Sequence, residues 1–313
     1  MKKIIIYISL LCIIIPACAQ APNDGLLWKI SGNGLEKPSY ILGTWHGTYD
    51  IMYNFTDSIP GFAEAFDNVE QVIGELDMNP ATASLPNVNS SQGLLPAGLT
   101  YDVLLSEPQL KLLDSVLLRK LGTPYSSQLR MRPMIMFQIL HSADAVREMG
   151  IEEYKNKAAE VMDMKLQTEA IARGYKTAGL ETVEEQVKTL VSRPLEEEIK
   201  LLIAYLESGD KYNQSGRDMA YKLRDAYRNQ SLRKVELFEE GIMTNVESAP
   251  YFDTNSFMDA LLTVRNNNWV ERLPSMIAST PSLIAVGVRH LPGDNGFLNL
   301  LRQAGYTVEP VKQ

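Results

Sequence analysis

Two short apolar runs near opposite ends of the chain, Tyr40-Ile41-Leu42-Gly43-Thr44-Trp45-His46 and Leu283-Ile284-Ala285-Val286-Gly287-Val288-Arg289-His290, both close in Gly-x-x-His. Runs this short and this rich in aliphatic residues read as strands. A glycine at a strand end lets the chain turn sharply or lets a ligand approach the backbone, and a histidine three residues on then stands at the rim of a sheet. The chain has three histidines and 20 glycines in 313 residues. Two of three histidines preceded in this way is a roughly 1% coincidence from composition. The pairing therefore asks for a sheet with both motifs at its rim, and in open α/β sheets ligands bind at the carboxyl ends of strands.

The remaining chain alternates between strand and helix patterns. Leu26 to Ser31 and Ser39 to Thr44 flank Gly32-Asn33-Gly34, which predicts a hairpin or a turn into the sheet. Ser58 to Asn68 reads as a helix and Gln71 to Leu76 as a strand. A loop rich in Ser, Asn, Pro and Gly follows from Asn79 to Gly98, either a flap over a site or a surface connection. Ser106-Glu107-Pro108-Gln109 and Thr182-Val183-Glu184-Glu185 both have the form of a capping box, with a hydroxyl placed to accept an orphan amide at a helix start. Helices are expected from Ser106 to Lys120 and over Pro133 to Met149, Ile151 to Arg173, Leu195 to Ser208, Gly216 to Gly241 and Ser256 to Ser279, with a strand from Tyr175 to Leu180 among them. The chain closes with a strand at Ser282 to Val286, a helix from Gly296 to Ala304 and a strand at Tyr306 to Val311. The expected fold is α/β, a central mixed β-sheet with flanking helices and a large helical insertion at residues 100–280, in one domain over residues 26–311.

Met1-Lys2-Lys3 and the apolar run Ile4 to Ile15 read as a secretory signal, too short to span a bilayer. Ile15-Pro16-Ala17-Cys18 resembles a bacterial lipobox, which makes residues 1–17 a removed signal, Cys18 the lipidated first residue and residues 18–25 a tether. Pro16 departs from the usual small or aliphatic residue, and ordinary cleavage after Ala17 or Ala19 is the alternative. On the lipidated reading the protein is extracytoplasmic and held to a bacterial membrane, on the periplasmic side or at the cell surface, through its anchor only. Cys12 leaves with the signal and Cys18 carries lipid, so no thiol is left for a disulfide or a metal. A net charge of −8 supplies no basic field for a phosphate backbone, which excludes nucleic acid as the main partner.

Two glutamates occupy places comparable to the histidines. Val72-Ile73-Gly74-Glu75 and Ala178-Gly179-Leu180-Glu181 each follow a β-type segment with glycine adjacent, so Glu75 and Glu181 reach toward the same rim. Neutral imidazole and carboxylate suit Zn, Mn, Co or Fe. Two histidines and one glutamate leave open positions on such an ion, and water bound there becomes a nucleophile for an amide or ester carbonyl. The second carboxylate takes the water proton or orients a histidine.

Gly43-Thr44-Trp45-His46, Glu75-Leu76-Asp77, Gly179-Leu180-Glu181-Thr182 with Gln186, Arg265-Asn266, Val286 to Gly293, and Gly296 with Leu300 to Tyr306 and Val308 together resemble the TraB/GumN family, over residues 26–311. That family is grouped with the TIKI and PrgY proteins, described as metal-dependent peptidases that use two Gly-x-x-His motifs and a glutamate. More distantly it is similar to the erythromycin esterase and ChaN-like fold. The resemblance implies His46, Glu75 and His290 around one divalent ion (Mn, Co or Zn), Arg265 as a site arginine, and a peptide or protein substrate. In the mechanism this suggests, Glu181 is the general base and Arg265 stabilises the oxyanion or grips a substrate carboxylate. Two other readings stay open: a metal-independent esterase-like hydrolase with His46 as base and Glu75 tuning it, and a ligand-binding lipoprotein that catalyses nothing.

Each residue also has an ordinary explanation. His46 and His290 could be strand-end histidines bonded to backbone, Glu75 a salt-bridge partner, Glu181 a favourable charge at the following helix start, and Arg265 a solvated member of Arg265-Asn266-Asn267-Asn268. Asp77 shares a side with Glu75 only if the strand runs that far. His141, in an apolar helical pattern, is expected to be structural, and Met131, Met134, Met136, Met162 and Met164 to be core fillers.

Overall fold

The computed structural model describes residues 24–46, 51–82, 91–149, 160–244 and 254–311. The signal, Cys18 and the tether up to residue 23 lie outside the described residues, as do residues 83–90 of the loop after Asn79 and residues 150–159.

The strand patterns assemble into one six-stranded sheet. β1 (Leu27–Ser31) and β2 (Ser39–Thr44) form the expected antiparallel hairpin. Gly32 and Gly34 turn it with φ of +76° and +84°, a region that costs glycine nothing. β3 (Gln71–Gly74), β4 (Lys176–Gly179), β5 (Ser282–Gly287) and β6 (Thr307–Pro310) complete the order β4-β3-β5-β2-β1-β6. β2 pairs parallel with β5, β5 with β3, and β3 with β4, while β1 runs antiparallel to β2 and β6. Val72, Ile73, Leu283, Ile284 and Val286 are fully buried, the continuous apolar pattern of strands covered on both faces. This is the mixed α/β sheet expected, and four neighbouring strands end on the same edge.

Helices α1 (Phe62–Asp67), α2 (Tyr101–Leu104), α3 (Glu107–Leu121), α4 (Pro133–Met149), α5 (Met162–Ala172), α6 (Val183–Leu190), α7 (Leu195–Ser208), α8 (Asp210–Arg228), α9 (Leu232–Thr244), α10 (Thr254–Met258), α11 (Arg265–Ile277) and α12 (Phe297–Gln303) surround it. The sheet's core takes Met162, Leu166 and Ala170 of α5, Tyr227 of α8, Trp269, Leu273 and Ile277 of α11, and Phe297 and Leu301 of α12. A second core lies among α2, α3, α4 and α7, built on Tyr101, Leu113, Met134, Met136, Leu140, Leu202 and Tyr205. Glu198 is fully buried at its edge, where Arg132 and the Met134 amide satisfy it, as a buried charge requires.

Both capping boxes form, at Ser106 with Gln109 and at Thr182 with Glu185. Other boundaries move for physical reasons. The helix expected over Gly216 to Gly241 breaks at Asn229–Ser231, with Gln230 at φ +51°. Asp24, distant in sequence, accepts from the Ser231 hydroxyl and from the Leu232 and Arg233 amides and so caps α9. The helix expected from Ser58 starts at Phe62, behind a 3-10 turn over Tyr53–Ser58. The helix expected over Ser256 to Ser279 contains a π-helical turn, Asp259–Val264. Met134, Met136 and Met162 are core residues and Met131 is half-buried, but Met164 is 44% exposed, a correction to its expected role. The loop before Gly98 is pinned from Leu94 onward: Leu94 bridges Met131, and buried Leu95 bonds the Arg130 carbonyl.

Candidate functional site

The register of β2 against β5 explains why the two Gly-x-x-His motifs come together. Gly43 lies opposite Val286 and Thr44 opposite Gly287, so the motifs leave adjacent parallel strands one residue out of step. A side chain cannot replace either glycine without displacement. A Cβ at Gly43 would sit 2.9 Å from Leu291 Cδ1, and one at Gly287 would sit 3.2 Å from Glu75 Oε1 and 3.4 Å from His46 Nε2. Gly287 is thus the floor of the site, and its amide donates to Glu75 Oε1 at 2.8 Å.

β3 ends at Gly74, earlier than the sequence pattern suggests, so Glu75 projects from the strand's carboxyl end rather than from its face. Gly74 is hemmed by Gln167 of α5, which bonds the Leu76 carbonyl (2.9 Å) and the Met78 amide (2.8 Å) and fixes this turn. Asp77 is bent away: its carboxylate accepts from the Asn79 amide and the Thr82 hydroxyl, closing its own turn. Glu181 follows β4, and its amide bonds the Glu75 carbonyl at 3.0 Å, which ties the two glutamate turns together.

His46, Glu75, Glu181, His290 and Arg265 meet here. His46 Nε2 is 4.0 Å and His290 Nε2 3.8 Å from the same oxygen, Glu75 Oε1. Arg265 begins α11 directly after the π-helical turn, a feature often found at functional sites. It donates from Nη2 to Glu75 Oε2 (2.5 Å) and Glu181 Oε1 (2.6 Å), and from Nη1 to His290 Nε2 (3.0 Å). Its guanidinium lies over the indole of Trp269, 4.6 Å from the ring centroid. Glu181 is saturated, accepting also from Gln186 Nε2 and Trp269 Nε1. His141 stands apart on α4, its ring 5.9 Å from that of Phe137.

The two imidazoles are held differently. Asn266 donates from Nδ2 to the His290 and Asn295 carbonyls, so its Oδ1 is an acceptor and takes the His290 Nδ1 proton at 2.8 Å. His290 Nε2 therefore carries the ring's lone pair, and Arg265 Nη1 donates to it. Burial, opposed by Glu75 and reinforced by Arg265, pushes the His290 pKa down to about 3, so the ring is neutral. His46 is half exposed and is the site's open side. Burial lowers its affinity for a proton, but Asp163 and Glu75 outweigh that and raise its pKa to about 9. Burial also opposes charge on Glu75, yet His46, Arg265 and the Gly287 amide hold its carboxyl below the ordinary carboxylate range.

Sequence reasoning passed over Asp163, Gln167 and Trp269 and gave no role to Thr44 and Asn266, although both stand in the quoted motifs. Asp163, on α5, accepts from Thr44 Oγ1 at 2.8 Å and lies 3.2 Å from His46 Nε2. The signal that could have found it is a polar residue on an apolar stripe: Asp163, Leu166, Gln167 and Ala170 share one buried helical face.

Among the described residues no three His, Cys, Asp or Glu side chains form a ready metal centre. The donor chemistry nevertheless fits a divalent ion, which would take the place of Arg265 Nη1 at the His290 Nε2 lone pair and of the proton on His46 Nε2: two imidazoles and a carboxylate oxygen converge, and Asn266 orients one ring from behind.

A model of the TraB/PrgY/gumN family matches residues 26–310. Metalloprotease TIKI1 of Danio rerio is 25% identical over 331 residues, covering 93% of this chain and 64% of that protein. Metalloprotease TIKI2 of Danio rerio is 23% identical (93% and 62%) and metalloprotease TIKI1 of Homo sapiens 24% identical (93% and 62%). The chain thus spans a little under two thirds of the length of these relatives. No solved structure matches. The family model covers nearly the whole chain from the first strand to the last, both Gly-x-x-His motifs included, and the protein belongs to the TraB/PrgY/gumN family.

Proposed function

We propose that this protein is a metal-dependent hydrolase of peptide bonds, anchored through lipid on Cys18 to the outer side of a bacterial membrane. The observation that carries the reading is the convergence of His46, Glu75, Glu181 and His290 from the carboxyl ends of four adjacent parallel strands. The metalloprotease names of its relatives support it. His46, Glu75 and His290 would hold the ion. When bound, it supplies Lewis acidity toward a carbonyl and activates water.

The chain's own groups prepare the rest. Gly287 and Arg265 hold the two Glu75 oxygens and keep the carboxylate ionised. Asn266 fixes the His290 tautomer with Nε2 facing inward. Glu181, with its oxygens engaged by Arg265, Trp269 and Gln186, supports a positioning role for Arg265 more directly than the general-base role. Arg265 sets a fixed positive charge beside the reacting region, suited to developing oxyanion charge. Substrate would approach past His46, the exposed member of the set.

The test is metal content and cleavage of a peptide library by the purified chain, beside His46→Ala and His290→Ala. Loss of both metal and cleavage in each variant is expected. A chain that carries no stoichiometric metal and never cleaves with added Mn, Co or Zn refutes the reading. One contact favours a second mechanism with His46 as general base: Asp163 and Thr44 hold the proton on His46 Nε2, which would leave Nδ1 as the basic nitrogen. Activity that survives a strong chelator but not His46→Ala would select it.

A further inference from the structure

We infer that Asp163 is a fourth metal-facing ligand of the same site, so that an ion would be held by His46, His290, Glu75 and Asp163. The inference rests on the metal-binding part of the proposed function and adds a residue to it. Asn266 and Asp163 approach their imidazoles at different atoms. Asn266 touches His290 at Nδ1, the nitrogen turned away from Glu75, and so acts behind the ring. Asp163 Oδ2 instead lies 3.2 Å from His46 Nε2, the nitrogen that faces Glu75 Oε1. Thr44 Oγ1, whose own proton goes to Asp163, also lies 2.9 Å from His46 Nε2, so this nitrogen carries a proton toward Thr44 and Asp163, and an ion bound there would displace that proton and sit between nitrogen and carboxylate.

The side chain is built to stay there. It is 9% exposed, and Thr44 Oγ1 donates to its other oxygen at 2.8 Å. Thr44 closes β2, and Asp163 sits in the first turn of α5, so two rigid elements fix the carboxylate. Charge gives a second, independent reason. Glu75, Glu181 and Asp163 are all buried or nearly so, and Arg265 is the guanidinium among them. Three carboxylates against one guanidinium leave an excess of negative charge in a poorly solvated place. Buried charge of this kind is costly unless a cation shares it. Arg265 bonds Glu75 and Glu181, whereas the bond to Asp163 comes from Thr44. A divalent ion between His46 and Asp163 would neutralise the end of the cluster that the arginine does not serve.

The experiment uses Co2+ as probe with the full-length chain, following affinity by calorimetry and coordination by visible absorption. Asp163→Asn is nearly isosteric, and it should fold as judged by circular dichroism and weaken Co2+ binding by about tenfold or more. Its Co2+ spectrum should also change, which loss of an orienting group or of nearby charge alone would not require. Asp163→Cys gives an independent readout. A thiolate bound directly to cobalt adds a near-ultraviolet charge-transfer band that the parent chain lacks. A folded Asp163→Asn with the parent's affinity and spectrum, or a Co2+-loaded Asp163→Cys without the band, overturns the inference while leaving His46, Glu75 and His290 as ligands. If the parent chain binds no Co2+, Mn2+ or Zn2+, the metal reading itself fails and this inference falls with it.

Discussion

Arg265 offers the sharpest test of how the strand-end site is held together, through its replacement by methionine. Methionine keeps much of the length and the apolar contact with Trp269 but removes the guanidinium. That deletes donors to Glu75 Oε2 (2.5 Å), Glu181 (2.6 Å to Oε1) and His290 Nε2 (3.0 Å), all on side chains at most 11% exposed. Removing one partner of a buried ion pair costs about 3–5 kcal/mol, because the other charge is left unpaired. Two carboxylates are orphaned here, but the Gly287 amide still serves Glu75, and Gln186 and Trp269 still serve Glu181. The single-pair range is therefore the right scale, and the thermal midpoint should fall by roughly 10 °C. Urea unfolding of Arg265→Met beside the parent measures the loss. Repeating it with Mn2+ at about 100 times its Kd should restore roughly 2.7 kcal/mol, since an ion bound only by the folded state stabilises that state. A loss under about 1 kcal/mol would refute the reasoning, because it would mean that the carboxylates are not held by this guanidinium.

Three further outcomes follow from the same geometry. Asn266→Leu strands the His290 and Asn295 carbonyls and the His290 Nδ1 proton in a buried place, so urea unfolding should show a loss of about 3–5 kcal/mol and calorimetry weaker Co2+ binding. Gly287→Ala puts a methyl 3.2 Å from Glu75 Oε1 and 3.4 Å from His46 Nε2, while φ at this residue, −50°, suits alanine. Metal affinity should therefore drop with little change in thermal midpoint; unchanged affinity would show that the glycine is not the floor of the site. Arg272 and, against burial, the Thr182 amide hold the Glu185 pKa at about 2, below its ordinary 4.5. A depressed carboxylate pKa stabilises the fold above the unfolded value and loses that effect as pH falls, so the stability gap between the parent and Glu185→Gln should narrow from pH 5 toward pH 3. The pair is about half exposed, so the gap itself should be small.

Much of this arrangement could be read in the chain because its signals are local. The paired Gly-x-x-His motifs, the glutamates after Gly74 and Gly179 and both capping boxes each lie within a few residues, and each formed as its spacing implies. What could not be read depends on contacts between distant segments. Asp24 breaks the helix expected over Gly216 to Gly241 by capping α9 from far away in sequence. Asp163 acquires its place only when α5 packs against the end of β2, and in sequence it shows only as a polar residue on a largely apolar helical face. Glu181 presents a similar case. Its position after a strand brings it to the rim, but the partners that hold it there come from α6 and α11. Met164 followed the helical period loosely enough to face solvent, while Met162, two residues earlier, faces the core.

Anomalous diffraction from a Co2+-loaded crystal decides whether the four parallel strand ends build one metal-binding hydrolytic site. One anomalous peak is expected within bonding distance of His46 Nε2, His290 Nε2 and Glu75. A fully loaded crystal with its peak elsewhere, or with none between the two imidazoles, would contradict it.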